Sequence, residues 1–249
     1  MSDEKDKSLD VFGIKPVAKS VEKVTDATVD GARAFMARIC LPAAEEFGLL
    51  LQDYVKSWRA SNAAKVAQKA EQKVVMYHTD ADVKVHPRIA HNIFEEGSWI
   101  EDETIQDMWA GLLASSCEVT GLDDSNLIFV AILKQLTALQ VRVIRYAIEN
   151  SNKYVSEAGW PYADNVQCPL NTLKAICQTE DVIRIDRELD YLRSMELIGS
   201  GIGSGGFSPD GDIADISPTP LALNLYVRGE GFIGSPIDFW SLEKKGVKN

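Results

Sequence analysis

The sequence predicts a mainly α protein: an N-terminal helical bundle with one long helix, followed by a winged-helix-like module with a small β-hairpin. Three observations carry that expectation. Ile105, Met108, Trp109, Leu112, Leu113 and Cys117 fall at i, i+3, i+4, i+7, i+8 and i+12, one face of a helix and no strand pattern. A second apolar stripe, Phe47, Leu51, Tyr54 or Val55, Trp58, Asn62, Val66 and Ala70 or Val74, runs far longer than an average globular helix. Late in the chain a short helix, a turn, a longer helix and a Gly-rich stretch follow in the order of a winged helix-turn-helix.

Taken in order, residues 1–33 read as a charged N-terminus with a weak helical pattern at Val17, Val21 and Val24, and residues 1–10 as polar and disordered. A helical domain spans 34–150. Its long helix starts at Pro42, where a missing N–H costs little. Acid early (Glu45, Glu46, Asp53) and base late (Lys56, Arg59, Lys65, Lys69, Lys73) suits the helix dipole. The plain reading is a structural arm with a solvated basic face. Self-association, with Asn62 setting register, or contact with anionic lipid are its alternatives.

Pro87 opens another helix, with Ile89, Ala90, Ile93 and Phe94 inward, Gly97 at its end and Trp99-Ile100 packing at the corner. Asp102 caps the central helix, which holds Met108, Trp109, Leu112 and Leu113 as its core, and Gly121 marks a left-handed stop beyond it. Gly111 within it costs about 1 kcal/mol relative to Ala, which points to a close approach of another backbone. Leu127–Leu136 makes a further helix, and Thr137-Ala-Leu-Gln140 has capping-box spacing for a helix from Ala138. Residues 151–169 read as a linker or surface loop. The module over 170–240 then holds Leu170–Cys177, a helix capped by Thr179, the glycine-rich wing with Ile213–Ile216, and a last helix over Pro220–Val227; 241–249 is a tail.

Charge and cysteine usage bound the function. A net charge of −11 disfavours nucleic-acid binding, which draws on Lys and Arg. No run of about 18 apolar residues suggests a membrane span, and the N-terminus lacks the apolar core of a signal peptide. Cys40, Cys117, Cys168 and Cys177 share no CxxC spacing and read as free thiols of a reducing, cytoplasmic compartment.

The chemistry-bearing motifs are weak. Gly201-Ile-Gly203-Ser-Gly205-Gly206 matches G-x-G-x-x-G but follows a helix and precedes Phe207-Ser-Pro, so it reads as a wing tip. His86 and His91 stand about 140° apart on a helix and share no face for a metal. Glu95, Glu96, Glu101, Asp102, Glu103 and Asp107 bunch at one helix end and the next helix start, the pattern of a solvated corner more than of a carboxylate site. No catalytic residue, metal ligand, cofactor or small-molecule ligand is evident. The helix after Thr179 carries Arg184 and Arg187 as candidate DNA contacts, yet acidic residues outnumber basic ones around it.

Several stretches together resemble the bacterial abortive-infection alpha family. They are Leu41-Pro42-Ala-Ala-Glu45-Glu46-Phe47-Gly48 with Trp58-Arg59-Ala-Ser-Asn62, Val85-His86-Pro87-Arg88-Ile89-Ala90, and Met108-Trp109-Ala110-Gly111-Leu112-Leu113-Ala114. Ile132-Leu133-Lys134-Gln135-Leu136, Leu192-Arg193-Ser-Met-Glu-Leu197-Ile198 and Thr219-Pro220-Leu221-Ala222-Leu223-Asn224-Leu225-Tyr226 complete the set. The resemblance implies a helical, cytoplasmic protein linked to phage exclusion, and supplies no catalytic residues. The function expected is a non-enzymatic phage-defence or regulatory protein acting through protein contacts or self-association. A winged-helix DNA-binding regulator and an enzyme with a carboxylate site at Glu101–Asp107 are the alternatives. Trp58, Arg59 and Asn62 are the expected partner contacts, because an exposed arm has no core to explain a Trp; packing of Trp58 against the Pro87 helix is the competing reading. Gly229, after Arg228, departs from the expected continuation of the last helix and suggests a loose end.

Overall fold

The computed structural model describes residues 26–40, 54–77, 82–199, 207 and 213–242. The polar N-terminus, the helix start at Pro42, the Gly201–Gly206 motif and most of the tail lie outside the described residues. In chain order the helices are α1 (Asp26–Ile39), α2 (Tyr54–Tyr77), α3 (Pro87–Gly97), α4 (Glu103–Ser115), α5 (Leu127–Leu133), α6 (Ala138–Glu149), α7 (Leu170–Cys177), α8 (Val182–Ser194), α9 (Pro220–Gly229) and α10 (Pro236–Phe239). The strands are β1 (Lys84–Val85), β2 (Cys117–Glu118), β3 (Lys153–Val155), β4 (Pro161–Ala163), β5 (Gln167–Pro169) and β6 (Ile213–Asp215). They form three two-stranded antiparallel sheets, β1 with β2, β3 with β4 and β5 with β6. The protein is mainly helical with small antiparallel sheets.

α4 is the axis of the molecule. The Asp102 carboxylate accepts from the Thr104 and Ile105 amides at 3.0 and 3.2 Å, starting the helix as expected. From Ile105 to Ser115 every residue except Asp107 is buried, so the helix is wrapped on all sides. α2, α3, α5, α6 and α9 all pack against it. It ends at Ser115 with Ser116 as C-cap; Gly121, at φ +69°, turns the chain only after β2. Ser115 and Ser116 then receive the two donors of buried Asn126, at 3.1 and 2.8 Å, so the helix end is satisfied inside the protein.

The glycine expectation holds at α4. A Cβ on Gly111 would lie 1.5 Å from the carbonyl oxygen of Gly229, so α9 crosses α4 backbone to backbone. Gly229 therefore ends α9 in a tight crossing, and not in the loose end that its departure from pattern suggested.

α2 is no exposed arm. Ala60, Asn62, Ala63, Ala64, Val66, Ala67, Ala70 and Val74 are buried, spread over more than half the helix circumference at 100° per residue. Small alanines let α1, α3 and α4 approach closely. Of its basic side chains, Lys69 pairs with Asp107 at 2.8 Å and Lys73 with Glu230 at 3.7 Å, both on other segments. α1, through Ala32, Phe35, Met36 and Ile39, covers α2, and the weak pattern at Val17, Val21 and Val24 lies outside the described residues.

Further differences are local. Thr137 and Gln140 form the expected capping box of α6. His86 accepts from the Arg88 amide and caps α3. α8 is capped by Asp181 and not by Thr179, which sits two residues earlier and accepts from the Asp181 amide. Residues 151–169 hold β3, β4 and β5, with Val155, Val166 and Cys168 buried. One apolar cluster runs from Ala32 to Leu225, joining the helical part to the C-terminal elements. Arg142 ties them by charge, binding Asp102 at 3.2 Å and donating to the Ile176 carbonyl at 3.0 Å.

The loop after β2 is stapled by one carboxylate. Glu118 accepts from the Thr120 hydroxyl and amide and from the Leu122 and Asp123 amides. These bonds, the Thr120 hydroxyl foremost, pull its carboxyl from 4.5 down to about 2. A depressed folded value means the staple is present above the ordinary carboxylate pKa and is lost as pH falls through about 2. The Thr120 and Leu122 amide resonances are expected to stay constant down to a pH of about 3.5. Movement centred at the ordinary carboxylate value would contradict the staple.

Candidate partner-contact site

The N-terminal half of α2 meets the end of α3 and the α3–α4 turn. Asn62, buried on α2, donates its side-chain N–H to the Ser98 carbonyl at 3.1 Å. Ser98, fully buried as the C-cap of α3, donates its hydroxyl to the Glu95 carbonyl and accepts from Arg59 Nε, both at 3.0 Å. Arg59 also pairs with the Glu95 carboxylate at 2.8 Å. Its guanidinium lies 4.3 Å from the centre of the Trp99 ring, a cation–π stack. The Arg59 hydrogen bond, working against burial, holds the Glu95 carboxyl below the usual carboxylate range.

Trp58 stands beside this stack. Its indole N–H donates to the Glu101 carboxylate, and its ring lies 6.0 Å from that of Trp99 at an interplanar angle of 59°. Trp99 remains 48 % exposed. The result is a tryptophan pair on the surface, with a guanidinium behind it and each polar neighbour engaged within the chain. A half-exposed tryptophan backed by a second, partly buried one beside a charged rim has the composition of an interface anchor. The Glu95 and Glu101 carboxylates and the Ser98 hydroxyl beside the pair are all engaged within the chain.

Of the sequence-nominated residues, Trp58 and Arg59 are brought together here. Asn62 lies beneath them, bonded inside the protein and closed to a partner. Trp58 packs against Trp99, just past the Pro87 helix. At the Trp99-Ile100 corner the two side chains part, with Ile100 half-buried and Trp99 facing out. The missed signal is a Trp two residues after the glycine that ends a helix, where the chain turns outward.

The acidic corner resolves into contacts with named partners. Glu95 holds Arg59, Glu96 holds Lys134, Glu101 holds Trp58, Asp102 caps α4 and holds Arg142, and Asp107 holds Lys69. Among the described residues no group of three His, Cys, Asp or Glu side chains is placed to hold a metal ion. No single described helix is long and apolar enough to cross a membrane. Met108, Trp109, Leu112 and Leu113 are buried on α4, at 2 % exposure or less. Arg184 and Arg187 are exposed on α8, and Arg184 leans on Glu188 of its own helix at 3.7 Å.

No curated protein and no solved structure matches the chain. The family model described as abortive infection alpha matches residues 59–208. That span opens at the arginine stacked on Trp99 and takes in all of α3 through α8. It covers more than half of the protein, and the chain belongs to the abortive infection alpha family.

Proposed function

We propose that this chain is a non-enzymatic phage-defence protein that acts in the bacterial cytoplasm by docking a protein partner on Trp58 and Trp99. The family supports the abortive-infection role. The observation that carries the contact is the half-exposed Trp99, fixed between Arg59 and Trp58. A ring that is already ordered loses little side-chain entropy on binding, so its burial counts almost fully toward affinity. Four free, buried cysteines fit a reducing compartment. The test is capture from phage-infected cells. Wild type retains a partner that Trp58→Ala and Trp99→Ala both lose, and equal retention by both variants would overturn the assignment.

A DNA-binding reading draws on the C-terminal elements. β5 precedes α7 and α8, β6 returns to pair with β5, and Phe207 bridges to Ala214, the strand and helix order of a winged helix. Against it, α8 carries Asp186, Glu188 and Asp190 among its arginines, with Glu188 on Arg184 and Asp190 on Arg193, which lowers its attraction for phosphates. In the same capture experiment, a nucleic-acid partner lost with Arg184→Glu and Arg187→Glu, and kept with Trp99→Ala, would favour this reading.

A further inference from the structure

The β3–β4 hairpin carries a second exposed aromatic surface, built from elements that the tryptophan pair does not touch. The register sets Tyr154 opposite Tyr162 and Val155 opposite Pro161. Strand alternation therefore puts Tyr154 and Tyr162 on one face and Val155 and Pro161 on the other, with Trp160 one residue before β4 at the tip. Val155 and Pro161 are buried, while Trp160 is 65 % and Tyr162 41 % exposed. The Tyr154 and Tyr162 rings stack at 6.1 Å with 21° between their planes.

This ribbon is held at both ends. At the tip the Ser156 amide donates to the Trp160 carbonyl at 2.9 Å, the Trp160 amide donates to the Ser156 hydroxyl at 3.1 Å, and Gly159 supplies a φ of +89°. At the base the Asp164 amide donates to the Asn152 carbonyl at 2.9 Å, and the Asn152 side chain donates to the Asp164 carboxylate at 3.2 Å. Trp160 and Tyr162, with Tyr154 stacked on Tyr162, are thus presented on an ordered backbone.

The charges select the occupant. Glu157 and Asp164 are exposed at the two ends of the aromatic row. Lys153 is turned to the ring of Trp240, 5.1 Å away. Platforms that stack nucleic-acid bases line them with cations; this one is flanked by carboxylates on a chain of net charge −11. A planar cation satisfies both features, since it stacks on the rings and pairs with the carboxylates. Arg59 does this within the same molecule, lying over Trp99 while bonded to Glu95.

We propose that the Tyr154–Trp160–Tyr162 face docks an arginine-bearing segment of another polypeptide. The probe is a ten-residue peptide of alternating arginine and glycine, titrated calorimetrically into the full chain. Binding is expected to saturate, to weaken about tenfold with Trp160→Ala, the loss of one good cation–π contact, and to weaken with Glu157→Gln. Trp160→Leu, which keeps an apolar side chain at the tip, is expected to weaken binding to a similar extent, with the unfolding temperature of each variant unchanged. Unsaturable binding, or equal affinity in wild type and both Trp160 variants, would overturn the proposal. So would tighter binding of a ten-residue oligothymidylate or of a neutral glucose oligosaccharide than of the peptide.

Discussion

Gly111→Ala is expected to destabilise the protein by about 3 kcal/mol or more, the upper range for forcing extra volume into a packed site. The added methyl would sit 1.5 Å from the Gly229 carbonyl oxygen and 2.1 Å from its carbonyl carbon. Neither is the end of a flexible side chain, so α9 as a whole must lift from α4. For a chain of this length the unfolding midpoint would fall by about 6–12 °C. Two other glycines give the contrast. A Cβ on Gly229 meets the Met108 methyl at 3.0 Å, and a thioether side chain can swing aside, so Gly229→Ala should cost far less. Gly31 has nothing within 4 Å, and Gly31→Ala in the exposed face of α1 should be neutral or stabilising by up to about 1 kcal/mol. Urea unfolding of the three variants checks the order. A mild Gly111→Ala would contradict the backbone crossing.

Trp109→Ala is expected to cost about 3–5 kcal/mol, the cost of emptying a large aromatic site in a closed core. Trp109 is 1 % exposed, and a Cβ on Gly97 would already touch it at 3.5 Å, with Val66 at a similar distance. α2, the end of α3 and α4 all meet at this ring and cannot collapse together without shifting one another. Trp99→Ala, by contrast, removes a half-exposed ring and one stack on Arg59, worth about 1 kcal/mol. Calorimetric unfolding of the pair separates the tryptophan that holds the fold from the one that faces outward.

The central helix was legible because its signals were local. Its periodicity, the Asp102 cap and the tolerated glycine all lie within one stretch, and each turned up as a contact. The same holds for the Thr137–Gln140 box. α2 was misjudged because its burial rests on alanines. Ala60, Ala63, Ala64 and Ala67 give little amphipathic contrast, and Lys69 and Lys73 look solvated until Asp107 and Glu230 arrive from distant segments. β6 falls within the Ile213–Ile216 stretch expected in the wing, but its partner β5 lies more than forty residues earlier, in the stretch that reads as a linker, so no local pattern announced the pairing. Of the candidate site, Trp58 and Arg59 could be nominated from sequence. Trp99 and the inward role of Asn62 could not, because both follow from how α2 lies against the end of α3.

The helical core holds Trp99 outward, where the proposed partner would dock. Efficiency of plating on cells expressing the wild type and Trp99→Ala, with soluble level and unfolding midpoint measured alongside, tests it most directly. The expected result is protection by the wild type and its loss in the variant, with a midpoint shift of no more than a few degrees. Full protection by Trp99→Ala, in a folded protein at equal level, would contradict it.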